Sequence, residues 1–158
     1  MLSLARAIPV LLAVVSLQDC HAQSVRQKEL QRRVRYADEH FATAGTPGSQ
    51  TDRGHVYVAL GPPDQVMEIK EGPNGGVDFP LEQWTYRMVP GIGVGVRVLF
   101  IDPTMSSVYK MVPPPEGVAG RRASEAVRQF HLIQDRIRQV LGAIENKGTQ
   151  RKTSRPPE

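Results

Sequence analysis

Thr51-Asp52-Arg53-Gly54 is the densest chemical grouping in the sequence. An aspartate beside an arginine can bind a phosphate, a carboxylate or a sugar. The same pair can serve the fold, with Asp52 accepting from turn amides and Arg53 donating to loop carbonyls or to a carboxylate such as Asp64. Gly54 permits close backbone approach. We favour the structural role over chemistry and retain Thr51, Asp52 and Arg53 as binding candidates. Gly61-Pro62-Pro63-Asp64 is a forced turn, because two prolines fix φ and remove consecutive donors. It lacks the glycine spacing and the lysine of a phosphate-cradling loop.

Hydrolases often hold two carboxylates a fixed distance apart. Asp52, Asp64, Glu82 and Asp102 fall at strand ends or turns, but no spacing selects a pair, and turn capping suits them equally. No serine lies in a Gly-x-Ser-x-Gly elbow, and His40, His55 and His131 are too far apart for helical metal spacing. The single Cys20 excludes an intrachain disulfide and a cysteine-rich zinc site. The reading is therefore one without catalytic residues, metal or cofactor.

The elements that must position these residues follow from periodicity. Ser24–Ala44 reads as a helix, with a capping-box Ser24/Gln27 and an apolar stripe of Leu30, Val34, Ala37 and Phe41. Its other faces carry Arg26, Lys28, Glu29, Arg32, Arg33 and Arg35, a basic cluster read as a solvated face rather than a grip for an anionic surface. From Arg53 the period becomes two, predicting a strand with Val56, Val58 and Leu60 on one side and His55, Tyr57 and Ala59 on the other. Further strands are predicted at Gln65–Lys70, Leu81–Val89, Val94–Ile101 and Ser106–Val112, separated by a Glu71–Pro80 loop and short turns. After a Pro113–Gly120 linker, Ala123–Asn146 is a long helix with Ala126, Phe130, Ile133, Ile137, Val140 and Ile144 on one stripe.

These elements predict an α+β fold: an antiparallel meander of about five strands, with the N-terminal and long C-terminal helices packed on one face. Val56, Val58, Trp84, Tyr86, Val96, Val98 and Phe100 are assigned to the core side. His55, Tyr57, Gln83, Thr85, Arg87 and Arg97 then share the opposite face, a polar, aromatic and cationic surface suited to a peptide or glycan.

The chain of 158 residues is long enough for one domain, and 20 basic against 16 acidic side chains leave a mild +4. Arg6 followed by the apolar run Ile8–Leu17 reads as a secretory signal, too short to span a bilayer at ~20 residues. Cys20-His21-Ala22 predicts cleavage before Gln23, which removes the only cysteine. A lipid anchor on Cys20 is the rival, opposed by Gln18 and Asp19 where small residues are needed. The expected organisation is a signal peptide at 1–22, one domain at 23–146 and a disordered polar tail at 147–158. Export disfavours nucleic acid as a partner, and no second run is long enough to anchor the mature chain.

Arg35-Tyr-Ala-Asp-Glu-His-Phe41, Gly48-Ser-Gln-Thr-Asp-Arg-Gly54 and Gly61-Pro-Pro-Asp64, followed by Glu82-Gln-Trp84-Thr-Tyr86 and Val98-Leu-Phe100-Ile-Asp102, resemble the bacterial GWxTD domain family. The likeness covers about 35–112, and Ser49 stands where the family has its eponymous tryptophan. Gly54, Gly61, Pro62, Pro63, Asp64, Trp84, Tyr86 and Asp102 belong to the shared motifs. The resemblance implies an exported or envelope-associated domain and no particular chemistry. A looser likeness, of fold only, is to small outer-membrane lipoproteins that assist barrel assembly. The functional expectation is an exported, non-catalytic binding or assembly module with a protein or envelope-component partner. A small secreted hydrolase using strand-end carboxylates is the alternative.

Overall fold

The computed structural model describes residues 8–69, 79–114 and 120–153, with side chains placed at 22–69, 79–114, 120 and 122–145. Helix α1 (Ile8–His40) contains the apolar run Ile8–Leu17 and passes Ala22 and Ser24 without a break. It therefore starts earlier than the Ser24 cap suggests and ends at His40 rather than Ala44. Beyond it the chain turns through a Thr43–Thr46 bridge. The predicted stripe holds: Ala37 is fully buried, Leu30 and Val34 are half-buried, and Phe41 packs against the core.

The segment predicted as a first strand is helix α2 (Asp52–Leu60), entered through a 3-10 turn at Gly48–Gln50. Thr51 is its N-cap, with Oγ1 accepting from the Gly54 N–H at 3.1 Å, and Asp52 opens the first turn where its charge suits the helix dipole. Gly61 ends it with φ at +90°, a conformation that glycine adopts without strain. The alternation of buried Gly54, Val56 and Val58 with less buried neighbours misled the period reading because α2 has neighbours on several sides. The Val58 carbonyl lies 3.4 Å from the Arg33 guanidinium of α1, while Val56 enters the sheet core.

The sheet has four antiparallel strands in the order β1 (Gln65–Ile69), β2 (Leu81–Val89), β3 (Gly93–Ile101) and β4 (Lys110–Val112). A meander is thus present, with four strands among the described residues instead of five because Arg53–Leu60 is helical. The last strand is shorter than Ser106–Val112, since Ser106 and Ser107 wrap around the Asp102 carboxylate. Most of the Glu71–Pro80 loop and of the Pro113–Gly120 linker lies outside the described residues.

Helix α3 (Arg121–Thr153) runs past the predicted Asn146 end and so through the start of the expected disordered tail; residues 154–158 lie outside the described residues. It packs on α2 and β3. Of its stripe, Ile133 is in the core and Ile137 packs against it, whereas Phe130 is only half-buried and lies by His131. All seven residues assigned to the core side are buried, six of them in one cluster with Val89, Ile92 and Ile133. Helix α1 joins this core mainly through α2 and Phe41. Among the described residues, no helix is long and apolar enough to cross a membrane.

Candidate functional site: the Thr51–Gly54 corner and the open sheet face

The Thr51–Gly54 corner is a joint between three elements. Thr51 Oγ1 donates to the Gly48 carbonyl at 2.7 Å while accepting from Gly54. A Cβ on Gly54 would lie 1.8 Å from the Gly48 oxygen, and one on Gly48 would lie 1.8 Å from the Ala37 oxygen. Backbone therefore touches backbone from α2 through the 3-10 turn to α1. Between the two glycines, the Ser49 N–H donates to Asp38 Oδ1 at 2.8 Å.

Asp52 and Arg53 reach the sheet instead. Asp52 Oδ2 accepts the Met111 N–H at 2.8 Å, and Lys110 Nζ stands 3.7 Å from Oδ1, which ties α2 to β4. The Arg53 guanidinium lies 4.1 Å from the centre of the Tyr109 ring and 5.2 Å from that of Phe41. Its Nη1 donates to Glu82 Oε2 at 3.2 Å, and Glu82 Oε1 accepts from the Trp84 indole N–H. The Arg53 and Glu82 side chains are 16% and 11% exposed. The carboxylate that Arg53 meets is thus Glu82 and not Asp64, because Glu82 shares the core face with Trp84 two residues on.

Asp64 pairs with Arg87 on the neighbouring strand, its oxygens taking the Arg87 N–H at 2.8 Å and Nε at 2.7 Å. Those two hydrogen bonds hold its pKa below the usual carboxylate value. The turn ahead of it is fixed by the Tyr86 hydroxyl, which donates to the Gly61 carbonyl at 3.2 Å. Burial raises the Tyr86 pKa strongly, so the phenol keeps its proton. Pro62 and Pro63 carry the chain from Gly61 to Asp64 at the head of β1. Burial opposes ionisation of Asp102, but hydrogen bonds from the Ser106, Ser107 and Thr104 amides and the Thr104 hydroxyl outweigh it and lower the pKa. Asp52, Asp64, Glu82 and Asp102 therefore have separate partners. Among the described residues no two share a donor or a cation, and no three His, Cys, Asp or Glu side chains cluster to hold a metal.

His55 and Tyr57 do not lie on the open sheet face, because α2 is a helix on the other side. His55, with Asp52, Met111, Gln134, Ile137 and Arg138, lines a cleft of about 350 Å³ between α2, β4 and α3. Burial lowers the imidazole pKa, Asp52 opposes this, and Lys110 adds to it. Tyr57 stacks on Tyr36 at 4.6 Å, and Tyr36 on His40 at 3.9 Å.

The open face is built of three cross-strand rows: Gln65–Thr85–Arg97, Met67–Gln83–Leu99–Val112, and Ile69–Leu81–Ile101–Lys110. Gln83, Thr85, Arg87 and Arg97 are on this side as expected, but without aromatic neighbours from His55–Tyr57. The apolar rows are what periodicity missed, since register alone brings Met67 and Ile69 beside Leu81, Leu99 and Ile101. Arg97 is exposed and has no ion pair among the described residues. Glu82 as the partner of Arg53 could have been found from the sequence, since a carboxylate two residues from Trp84 faces the core and needs a buried donor. Comparison of the chain with family models, with curated proteins and with solved structures finds no match in any of the three.

Proposed function

We propose that this protein is an exported, non-catalytic binding or assembly module of the bacterial cell envelope, related to the GWxTD domain family. Its docking surface is the open sheet face. The observation that carries this reading is the pair of apolar rows, rimmed by Arg87 and by Arg97, which has no ion pair among the described residues, on the sheet face opposite the one that carries the core. Antiparallel sheets commonly leave one face solvated, and that face is ordinarily polar. Apolar rows with a cationic rim match a partner that has an apolar centre and acidic edges. The dispersed carboxylates support binding over hydrolysis by a carboxylate pair, which needs two of them converging on one bond.

The test is a photo-crosslinking residue at Leu99 in cells, with one at the exposed Arg32 of α1 as control. The expected result is a discrete adduct with an envelope component from position 99 only, on a chain whose N-terminus is Gln23. An intact Met1 in the cytoplasm, or adducts from position 32 alone, would overturn the proposal.

A further inference from the structure

The two edges of the sheet differ in kind. At the β4 edge the strand is three residues long, and Asp52 covers it by accepting the outward Met111 N–H, with Lys110 beside it. The β1 edge is five residues long and, among the described residues, has a strand neighbour on one side only. Residues 65–68 are exposed, and Val66 and Met67 keep 52% and 46% of their surface in water. No proline interrupts the strand. An exposed edge with apolar side chains is a template for another strand, and folded proteins ordinarily block such an edge as this one blocks β4.

We propose that β1 pairs antiparallel with β1 of a second copy of the chain about a two-fold axis at Met67, joining two four-stranded sheets into one of eight strands. This goes beyond the envelope-binding reading, because the partner is the chain itself. The register follows from the residues. With the axis at Met67, all five residues of each strand find a partner: Met67 meets the partner's Met67, Val66 the partner's Glu68, and Gln65 the partner's Ile69. Glu68 then faces an apolar residue. Moving the axis to Glu68 would set two glutamates directly opposite each other, which is destabilising. Pro62 and Pro63 lie just ahead of β1 and cannot donate to a ladder, so the pairing cannot spread past that end. A two-fold contact is also closed: it uses the same edge on both copies and leaves none free for a filament. Pairing brings the Met67–Gln83–Leu99–Val112 row of each copy end to end across the axis, doubling the open apolar face. One strand pair buries little beside the ~1,200–2,000 Å² of a standard interface, so the dimer is weak and reversible.

The register makes the test specific. In a Cys20→Ser background, Met67→Cys is oxidised mildly beside Met105→Cys, whose parent residue is 69% exposed on a loop. The expected result is covalent dimer forming several-fold faster from the Met67 variant. Val66→Cys mixed with Glu68→Cys should crosslink faster than either alone, and sedimentation of the unmodified chain should show concentration-dependent dimer. Met67→Lys should abolish the dimer while leaving the near-ultraviolet circular dichroism unchanged. Crosslinking at Met67 no faster than at Met105, or a chain monomeric at high micromolar concentration, would overturn self-pairing and leave the edge to a strand from another protein.

Discussion

Arg53 is held by Glu82 on one side and by the faces of Tyr109 and Phe41 on the others, a setting that a planar guanidinium fills and an ammonium does not. Arg53→Lys should therefore cost about 1–3 kcal/mol in urea unfolding although the charge is kept. Glu82→Gln should cost more, about 3–5 kcal/mol, because it leaves a nearly buried guanidinium without its counter-ion. Asp52→Asn should be milder than either, since an amide oxygen can still accept the Met111 N–H. That this corner would make internal contacts was legible in the sequence, because Asp and Arg beside a glycine suit a place where backbone groups change partners. The partners were not legible. Met111 is 59 positions from Asp52, and only the shortened β4 strand brings its amide to the carboxylate.

At the scale of elements, β2, β3 and the long C-terminal helix announce themselves by clear alternation or by a long 3.6-residue stripe. Helix α2 does not. It is nine residues long and enclosed on several sides, so its burial pattern of Gly54, Val56 and Val58 has no single apolar face. What identifies it is its start, where Thr51 and Asp52 form a capped first turn that outweighs the apparent alternation. Its close seat on the 3-10 turn gives the sharpest prediction here. Gly54→Ala places a methyl 1.8 Å from a backbone oxygen that cannot swing aside, so its cost should exceed the ~1–3 kcal/mol of ordinary overpacking, read as a lowered urea midpoint. On α3, Ile133→Ala should cost about 2–5 kcal/mol as a core deletion. Phe130→Ala should cost clearly less, because that ring is only half-buried outside the core cluster. Equal losses for the two would mean that the helix is seated differently.

For the whole molecule, stability should depend on pH through His55 in a window the sequence does not reveal. Burial depresses its folded pKa below the ordinary 6.5, so the unfolded chain takes up this proton first as the pH falls. Stability contributed by neutral His55 is complete above about pH 6.5 and is lost progressively below it. His55→Gln should flatten urea midpoints measured between pH 7 and pH 5 relative to the parent chain; an unchanged slope would place the imidazole in water. Asp64 and Asp102, with lowered pKa values, contribute stability that persists until the pH drops below the ordinary 3.8 and is lost only as they protonate. The proposed division of labour between a structural corner and a binding face is tested most directly by one paired measurement. Arg53→Lys and Arg97→Glu are each melted, and each is assayed for the envelope adduct formed from position 99. Arg97→Glu should keep the parent melting temperature and lose the adduct, while Arg53→Lys should melt lower and lose adduct only in step with its unfolding. An Arg53→Lys protein that melts like the parent chain yet forms no adduct would contradict the account and make Thr51–Gly54 the working site.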